Sequence, residues 1–350
     1  MAPTTRQATK TKVGEEVLDL VIPYIHNVDD RSSVSLVSRN FYEVEGITPL
    51  KSTVLERFYV TNTYISEEDV THLAKNCCNS LISLKIEECY LSKLGDAFRL
   101  EHFGGYSCDD KSELVGFQFP PNIRSLSRME LSVTQYSSVL PLLNQIRKLK
   151  LVFACLDEDQ KCLLFTRCTN LEVLYTIDGC GDRGLQIIGL VTHVGLISLA
   201  KGCTNLESLD LILGNISNEA LECVGTHLNN LGDLRMHLVK DDGTTGLLDN
   251  GIRAMLMGCR KLERLDISLW HGRLTDVGLE YIGKYGVNLR SLHLERVGNS
   301  NAGLVKLSQG CQKLRKLKLF GCPFSEQVVA SYVFNIPSLS YVLFDTSDRD

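Results

Sequence analysis

The residues of this chain that could do chemistry are a glycine run, eight histidines, thirteen cysteines and a series of regularly spaced cations. Gly179-x-Gly181-x-x-Gly184 matches the loop that seats a dinucleotide pyrophosphate on a helix N-terminus. It lies between a strand-like and a helix-like run, yet no strand–helix–strand unit surrounds it. The histidines include no His-x-x-x-His pair, and none stands beside paired carboxylates, so neither a zinc pair nor a general base is marked. Cys77 and Cys78 are adjacent and the other cysteines are widely spaced, without the Cys-x-x-Cys pairs of a structural zinc site. A nucleophile elbow and a P-loop are also missing from the pattern. The expectation is a protein that binds and does not catalyse, with no metal centre.

The elements that must position these residues are set by a repeat. A Leu-x-x-Leu-x-Leu run recurs nine times, most often about 25 residues after the last, which is the leucine-rich-repeat period. Copies begin at Leu81, Ile146, Leu171, Leu206, Leu231, Leu262, Leu289, Leu314 and Leu339. Each predicts a strand and a return helix, neither of which can bury its apolar face alone; stacking the units solves that. The helix signature reads Gly195-Leu196-x-x-Leu199, Gly251-Ile252-x-x-Met255, Gly278-Leu279-x-x-Ile282 and Gly303-Leu304-x-x-Leu307. The small residue is expected to let helix and strand layers approach closely. Gly184 falls at this same position, which accounts for the glycine run without a nucleotide. Cys168, Cys203, Cys259 and Cys311 each stand three residues before the first leucine of a strand, so they read as stacked, buried, reduced thiols. Asn215-Ile216-Ser217 is formally a glycosylation sequon, left unused in a protein that is not secreted.

Two stretches break the period. From Leu171 to Leu206 the spacing is too long for one unit and too short for two. From Leu81 to Ile146 the ladder is poor, and Phe103-Gly104-Gly105-Tyr106 reads as an insert. Both look like decayed or deleted repeats.

Strand residues between the ladder leucines alternate outward, onto a concave face. In order they include Lys85, Glu87, Lys150, Tyr175, Asp210, Ile212, Arg235, His237, Asp266, Ser268, His293, Glu295, Lys318 and Phe320. The mixture of charges suits a protein partner better than nucleic acid. A formal charge of −5 points the same way and offers no general attraction to a membrane surface. Hydrophobic residues make up 44% and charged residues 23%, the balance of a globular chain, with no apolar run of the ~18 residues that span a bilayer.

Residues 1–12 are polar and basic, without the apolar core of a secretory signal, and are expected to form a disordered tail. Residues 13–58 do not follow the repeat. Val17, Leu18, Val21, Ile22 and Ile25 make an apolar stripe at helical spacing, interrupted by Pro23. A second stripe, Val34, Val37, Phe41 and Val44 with Leu36 beside it, follows capping candidates at Asp29, Asp30 and Ser32. One reading is a polar-backed cap for the first repeat. The stretch Asp30-Arg31-Ser32-Ser33-Val34-Ser35-Leu36-Val37-Ser38-Arg39-Asn40-Phe41 also resembles the core of an F-box, the module that docks on the Skp-type adaptor of cullin–RING ubiquitin ligases. Ser38 stands for the usual cysteine and Phe41 for the usual tryptophan, and the Leu-Pro opening is replaced by Gly14-Glu15-Glu16-Val17.

With both parts in place, the chain resembles the plant coronatine-insensitive jasmonate-receptor family, relatives of the auxin receptors. The resemblance rests on Gln145-Ile146-Arg147-Lys148-Leu149, Asn170-Leu171-Glu172-Val173-Leu174 and Gly181-Asp182-Arg183-Gly184-Leu185. Leu248-Asp249-Asn250-Gly251, Leu274-Thr275-Asp276, Tyr281-Ile282-Gly283 and Gly321-Cys322 with Phe324-Ser325-Glu326 add to it. It implies a longer solenoid than this one, with further repeats after Val60, a strand-bearing piece near Gly189 and more chain beyond Phe344. At the family's hormone pocket only Arg235 carries over, as a cation for the ligand carboxylate. Asp210 and Ile212 stand for alanine and tyrosine, His237 for valine, Ser268 for tyrosine, Ser291 for tryptophan, His293 for leucine and Phe320 for arginine. Losing one large aromatic wall costs about 3–5 kcal/mol in a core, enough to erase useful affinity, so an intact jasmonate pocket is not expected. The family also holds an inositol polyphosphate through clustered cations; Lys85, Lys150, Arg235, Lys316 and Lys318 are the cations available here, against the reading that they are solvated surface charge.

The expected architecture is therefore α/β: a leucine-rich-repeat solenoid over residues 59–350, after a small all-α F-box over 13–58. The resemblance implies a substrate-recognition adaptor of an SCF-type ubiquitin ligase, working in the nucleus or cytoplasm. Val17, Leu18, Val21, Ile22, Leu36, Val37 and Phe41 would hold the Skp-type adaptor, and through it the cullin. Asp210, Arg235, His237, Ser268, His293, Lys318 and Phe320 would face a protein target. The alternatives are a repeat scaffold with no ligase link and a non-functional paralogue.

Overall fold

The structure, a computed structural model, describes residues 55–60, 73–87, 97–106, 119–129, 133–152, 156–177, 190–239, 246–270 and 272–346. They fall into two compact units that divide between Arg128 and Met129. The first carries β1 (Arg57–Val60), β2 (Ser83–Glu87), β3 (His102–Tyr106) and all but the last residue of β4 (Ser125–Met129), each strand parallel to the next. The second carries β5 (Lys148–Val152), β6 (Val173–Ile177), β7 (Ser208–Leu213), β8 (Asp233–Leu238), β9 (Arg264–Ser268), β10 (Ser291–Glu295), β11 (Lys316–Phe320) and β12 (Tyr341–Asp345). These too pair in parallel with their sequence neighbours. Helices return between them: α1 (Val133–Val139), α2 (Glu158–Arg167), α3 (His193–Gly202), α4 (Asn218–His227), α5 (Asp249–Gly258), α6 (Asp276–Tyr285), α7 (Asn301–Ser308) and α8 (Glu326–Asn335). This is the α/β leucine-rich-repeat fold expected from the period.

In the second unit the ladder is an unbroken column. Leu149, Leu174, Leu209, Leu234, Leu265, Leu292 and Leu317 sit in register on successive strands, all buried. Each contributes about 1.5–3 kcal/mol of burial before chain entropy is set against it. The cysteine column is equally regular. Cys168, Cys203 and Cys259 are the C-cap residues of α2, α3 and α5, and all are buried. The Cys203 thiol donates to the Phe165 carbonyl at 3.2 Å, and that of Cys259 to the Leu228 carbonyl at 3.5 Å. Burial pushes the Cys168, Cys259 and Cys311 thiols up to about 12, and the described cysteines are all free. These are packing groups and not nucleophiles.

The helix-start glycines work differently from the expectation. A Cβ on Gly278 would meet Leu274 Cδ1 and Asp249 Oδ1, and one on Gly303 would meet Asp276 Oδ1 and Leu279 Cδ1. The close approach is therefore to the first turn of the preceding helix, and at Gly278 also to Leu274 just before its own helix, and not to the strand layer. There each first-turn Asp or Asn accepts from the start of the next unit. Asp249 Oδ1 takes the Thr275 N–H at 2.9 Å, Asp276 Oδ1 takes the Asn299 N–H at 2.8 Å, and Asn301 Oδ1 takes the Ser325 N–H at 2.7 Å. The orphan amides at one helix start are thus satisfied by the helix before it. A second glycine column closes the helix ends: a Cβ on Gly258 would come 1.7 Å from the Gly225 carbonyl oxygen.

Both irregular stretches resolve. The Phe103-Gly104-Gly105-Tyr106 segment is a strand, β3, and not an insert. Phe103 takes the ladder position, paired with Leu84 on one side and Leu126 on the other, while Leu100 and Ile123 are buried like Leu81. Aromatic and glycine residues at leucine positions hid β3, and Phe58 did the same for β1. Between Leu171 and Leu206, β6 pairs directly with β7 through Val173–Tyr175, with no other strand between them among the described residues. Val191 adds a single bridge to Leu213. The Gly179–Gly184 run lies outside the described residues.

Candidate functional site

Register turns the outward strand residues of the second unit into rows across the sheet. One row holds Lys150, Tyr175, Asp210, Arg235, Asp266, His293 and Lys318, one residue per strand from β5 to β11. Neighbouring strands are about 4.8 Å apart, so each side chain meets the next. From Asp210 onward the charges alternate in sign, apart from the imidazole, and the contacts follow from that.

Arg235 is the hub. Its Nη1 donates to the Tyr175 hydroxyl at 2.9 Å and lies 3.6 Å from Asp210 Oδ2. Its Nε lies 3.6 Å from Asp233 Oδ1 in the row before, and Asp233 Oδ2 also accepts from Arg264 Nε at 2.9 Å. The guanidinium sits 5.9 Å from the Tyr175 ring centre, with the Lys150 ammonium 4.9 Å from the same centre. Burial works against the charge on Arg235, but Asp233, Tyr175 and Asp210 outweigh it and raise the pKa above the ordinary guanidinium value. Burial also raises the Asp210 carboxyl, against the opposing pull of His237 and Arg235. The Tyr175 hydroxyl is raised by burial first and by Asp210 second.

Further along, His293 Nδ1 is 2.8 Å from Asp266 Oδ2, and the imidazole meets the Phe320 ring edge-on at 5.1 Å. Three buried atoms here have no hydrogen-bond partner: Asp233 Oδ1, Asp266 Oδ1 and His293 Nε2. Such groups are rare in folded proteins; Asp233 Oδ1 keeps its 3.6 Å ion pair with Arg235, while Asp266 Oδ1 and His293 Nε2 lack a hydrogen bond.

The residues expected to face a target divide by accessibility. Lys318 is exposed, while Asp210, Arg235, His237 and His293 are half-buried. Ser268 and Phe320 are closed off from solvent, Phe320 at 5% exposure, so they serve as walls. The cations set out for a polyphosphate do not share one environment. Lys150 and Arg235 meet at Tyr175, Lys316 and Lys318 are exposed on β11, and Lys85 lies in the first unit. Asp233 was missed as part of the charge network. Carrying the strand alternation one step back from Arg235 places it on the same face.

An F-box model matches residues 10–49. All seven residues expected to dock an adaptor, Val17, Leu18, Val21, Ile22, Leu36, Val37 and Phe41, fall inside that match and outside the described residues. Coronatine-insensitive protein homolog 2 of Oryza sativa is 36% identical over 331 residues, covering 83% of this chain and 56% of that protein. Coronatine-insensitive protein 1 of Arabidopsis thaliana is 37% identical over 321 residues, covering 81% and 54%. The chain thus spans about half the length of the curated relatives it matches. Among solved structures, the yeast Rad7 and Elc1 complex contains a chain that matches with a TM-score of 0.51 at 17% identity, covering 97% of this chain and 92% of that one. That likeness is one of fold.

Proposed function

The chain is a divergent member of the F-box and leucine-rich-repeat family that includes the coronatine-insensitive proteins, and from this we propose that it is a substrate receptor of an SCF-type ubiquitin ligase. The F-box match over residues 10–49 is the observation that carries this reading. The module would dock on a Skp-type adaptor in the nucleus or cytoplasm, joining the chain to a cullin, while the outward rows of the repeats take a protein target. The chain itself performs no chemistry; it holds the target where the ligase can reach it.

The rows support a receptor that works without a jasmonate. A cation that is to take a ligand carboxylate needs positive potential around it. Arg235 instead lies within 3.6 Å of two carboxylates and donates to Tyr175, with Asp266 beside it in register. An acidic ligand would have to displace those partners and enter a site where carboxylates outnumber guanidiniums.

Co-purification with a plant Skp-type adaptor tests the ligase link, with a Val37→Asp, Phe41→Ala double variant alongside. The expected result is a stoichiometric complex with the unaltered chain and none with the variant. A soluble, folded chain that gives no complex would overturn it.

A further inference from the structure

The outward face of the larger unit changes character at its last three strands. Register sets Ser291, Lys316 and Tyr341 side by side across β10, β11 and β12, with His293, Lys318 and Leu343 in the next row. Alternate residues of one strand are about 6.6 Å apart and neighbouring strands about 4.8 Å apart, so these six side chains make one continuous patch. None of the six is a carboxylate. Over β7–β9 the arrangement is different: Asp210 and Asp233 lie within 3.6 Å of Arg235, and Asp233 also takes Arg264.

Two observations mark the patch. The first is charge. Lys316 and Lys318 are both exposed, and among the described residues neither ammonium has an ion pair or a hydrogen bond. The carboxylates around them are placed elsewhere. Asp266 lies 2.8 Å from His293, Glu295 lies 3.8 Å from Arg296, and Asp345 belongs to the following row, beside Phe320. Two like charges on one strand face repel each other, here in a chain whose formal charge is −5. The second observation is apolar exposure. Tyr341 is 45% exposed and Leu343 37%, while Leu317 on the opposite face of β11 is fully buried. The run Tyr341-Val342-Leu343-Phe344 has none of the charged residues or prolines that ordinarily guard such a strand. Adjacent exposed apolar side chains bordered by polar groups are the pattern of a contact surface.

We propose that the β10–β12 patch holds an acidic, apolar segment of the protein target, one in which Asp or Glu side chains flank a large apolar residue; this rests on the substrate-receptor reading. The carboxylates would take Lys316 and Lys318, and the apolar side chain would cover Tyr341 and Leu343. Each half of the patch argues against a different rival. An inositol polyphosphate, all charge, would answer the lysines and leave Tyr341 and Leu343 in water. A wholly apolar segment would cover those two and take water from the neighbouring ammoniums without replacing it. Nucleic acid would bring many charges toward a chain that is negative overall. A segment with both chemistries satisfies both strands.

The test measures binding of fluorescent peptide pools with random flanks around a fixed core. The cores are Glu-Leu-Glu-Phe, the uncharged Gln-Leu-Gln-Phe and the polar Glu-Ser-Glu-Ser. The whole chain is used, unaltered, as Lys316→Gln, Lys318→Gln, or as Tyr341→Ser, Leu343→Ser. The unaltered chain should prefer the first pool to each of the others by at least about fivefold at low salt. Its preference for glutamate over glutamine should shrink in ~1 M salt. The lysine variant should lose the preference over the glutamine pool and keep that over the serine pool, and the Tyr341, Leu343 variant should do the reverse. A general loss of structure would not give that crossed pattern. Circular dichroism and melting temperatures establish that each variant folds; where a double variant melts early, Lys318→Gln or Leu343→Ser alone takes its place. Equal binding of the glutamate and glutamine pools would overturn the proposal, as would either preference surviving the variant meant to remove it. Inositol hexakisphosphate or oligothymidylate that binds more tightly than the first pool, and is lost with the lysines, would overturn the choice of a protein segment. Adaptor docking is read separately. A chain that docks the adaptor without a glutamate preference defeats this inference alone, and one with the preference but no docking defeats the receptor reading alone.

Discussion

The β5–β12 unit and the β1–β4 unit build the same parallel repeat from different side chains. In the larger unit a leucine sits at nearly every ladder position, cysteine thiols donate from one repeat to the carbonyls of the last, and first-turn acids stitch successive helices. On its outward face Asp210 and Asp233 lie beside Arg235, and Asp266 lies beside His293. In the smaller unit Phe103 fills a ladder position, glycines follow it, and an outward groove across β1–β4 carries cations and hydroxyls without an acid in its described lining. The difference teaches that one backbone repeat accepts different ladders and different outward faces. The better ladder and the row with carboxylates beside Arg235 belong to the same unit.

If the ladder carries the stability of the larger unit, Leu292→Ala should be the most damaging simple change. Leu292 is fully buried, and the expected loss is about 3–5 kcal/mol by urea unfolding. A loss under about 1 kcal/mol would break the comparison. Two glycine substitutions sharpen it. Gly258→Ala drives a methyl against the Gly225 backbone, which cannot swing aside, and should cost about 1–3 kcal/mol. Gly104→Ala meets first the Ser127 hydroxyl oxygen, the end of a side chain that can rotate, and should cost less than about 1 kcal/mol. Equal losses would show the two units to be packed alike.

The helix stitching has a pH signature. Burial works against the charge on Asp276, but hydrogen bonds from the Ser300 hydroxyl and the Asn299 and Ser300 amides outweigh it and hold the carboxyl below its ordinary value. A depressed carboxyl stabilises the fold above its unfolded pKa, and that stabilisation is lost as pH falls through the folded one. Asp276→Ala should therefore cost about 1 kcal/mol at pH 7 and progressively less in acid, below about pH 4. Asp210 has the opposite sign. Its pKa is raised, so ionisation is a burden on the folded state that is fully present at pH 7 and is relieved as pH falls through the folded pKa. Asp210→Asn should be neutral or stabilising by about 0.5 kcal/mol at pH 7, with no gain near pH 3, by denaturation at both pH values.

Much of this was legible in the sequence, and the parts that were not share a cause. Nine strands announced themselves through leucine, isoleucine or valine at fixed spacing. β1, β3 and β4 did not, because Phe58 and Phe103 replace leucine and the steps from Leu81 to Leu100 to Ile123 are shorter than the period. A period finds the units that obey it and overlooks those whose side chains have another task. The same holds for the site. Alternation put Arg235 and His293 on the outward face, yet only register across strands showed which carboxylates meet them. Of the groove's residues only Lys85 stands out in the sequence, since Arg57, Lys85 and His102 come together only through the pairing of β1, β2 and β3.

The most direct test of the account is equilibrium dialysis of labelled coronatine against the purified chain, with Arg235→Ala beside it. The charge-satisfied row predicts no saturable binding by either protein. Saturable binding that disappears with Arg235→Ala would contradict it, showing that Arg235 leaves its carboxylates to hold an acidic ligand and that the chain retains a hormone pocket.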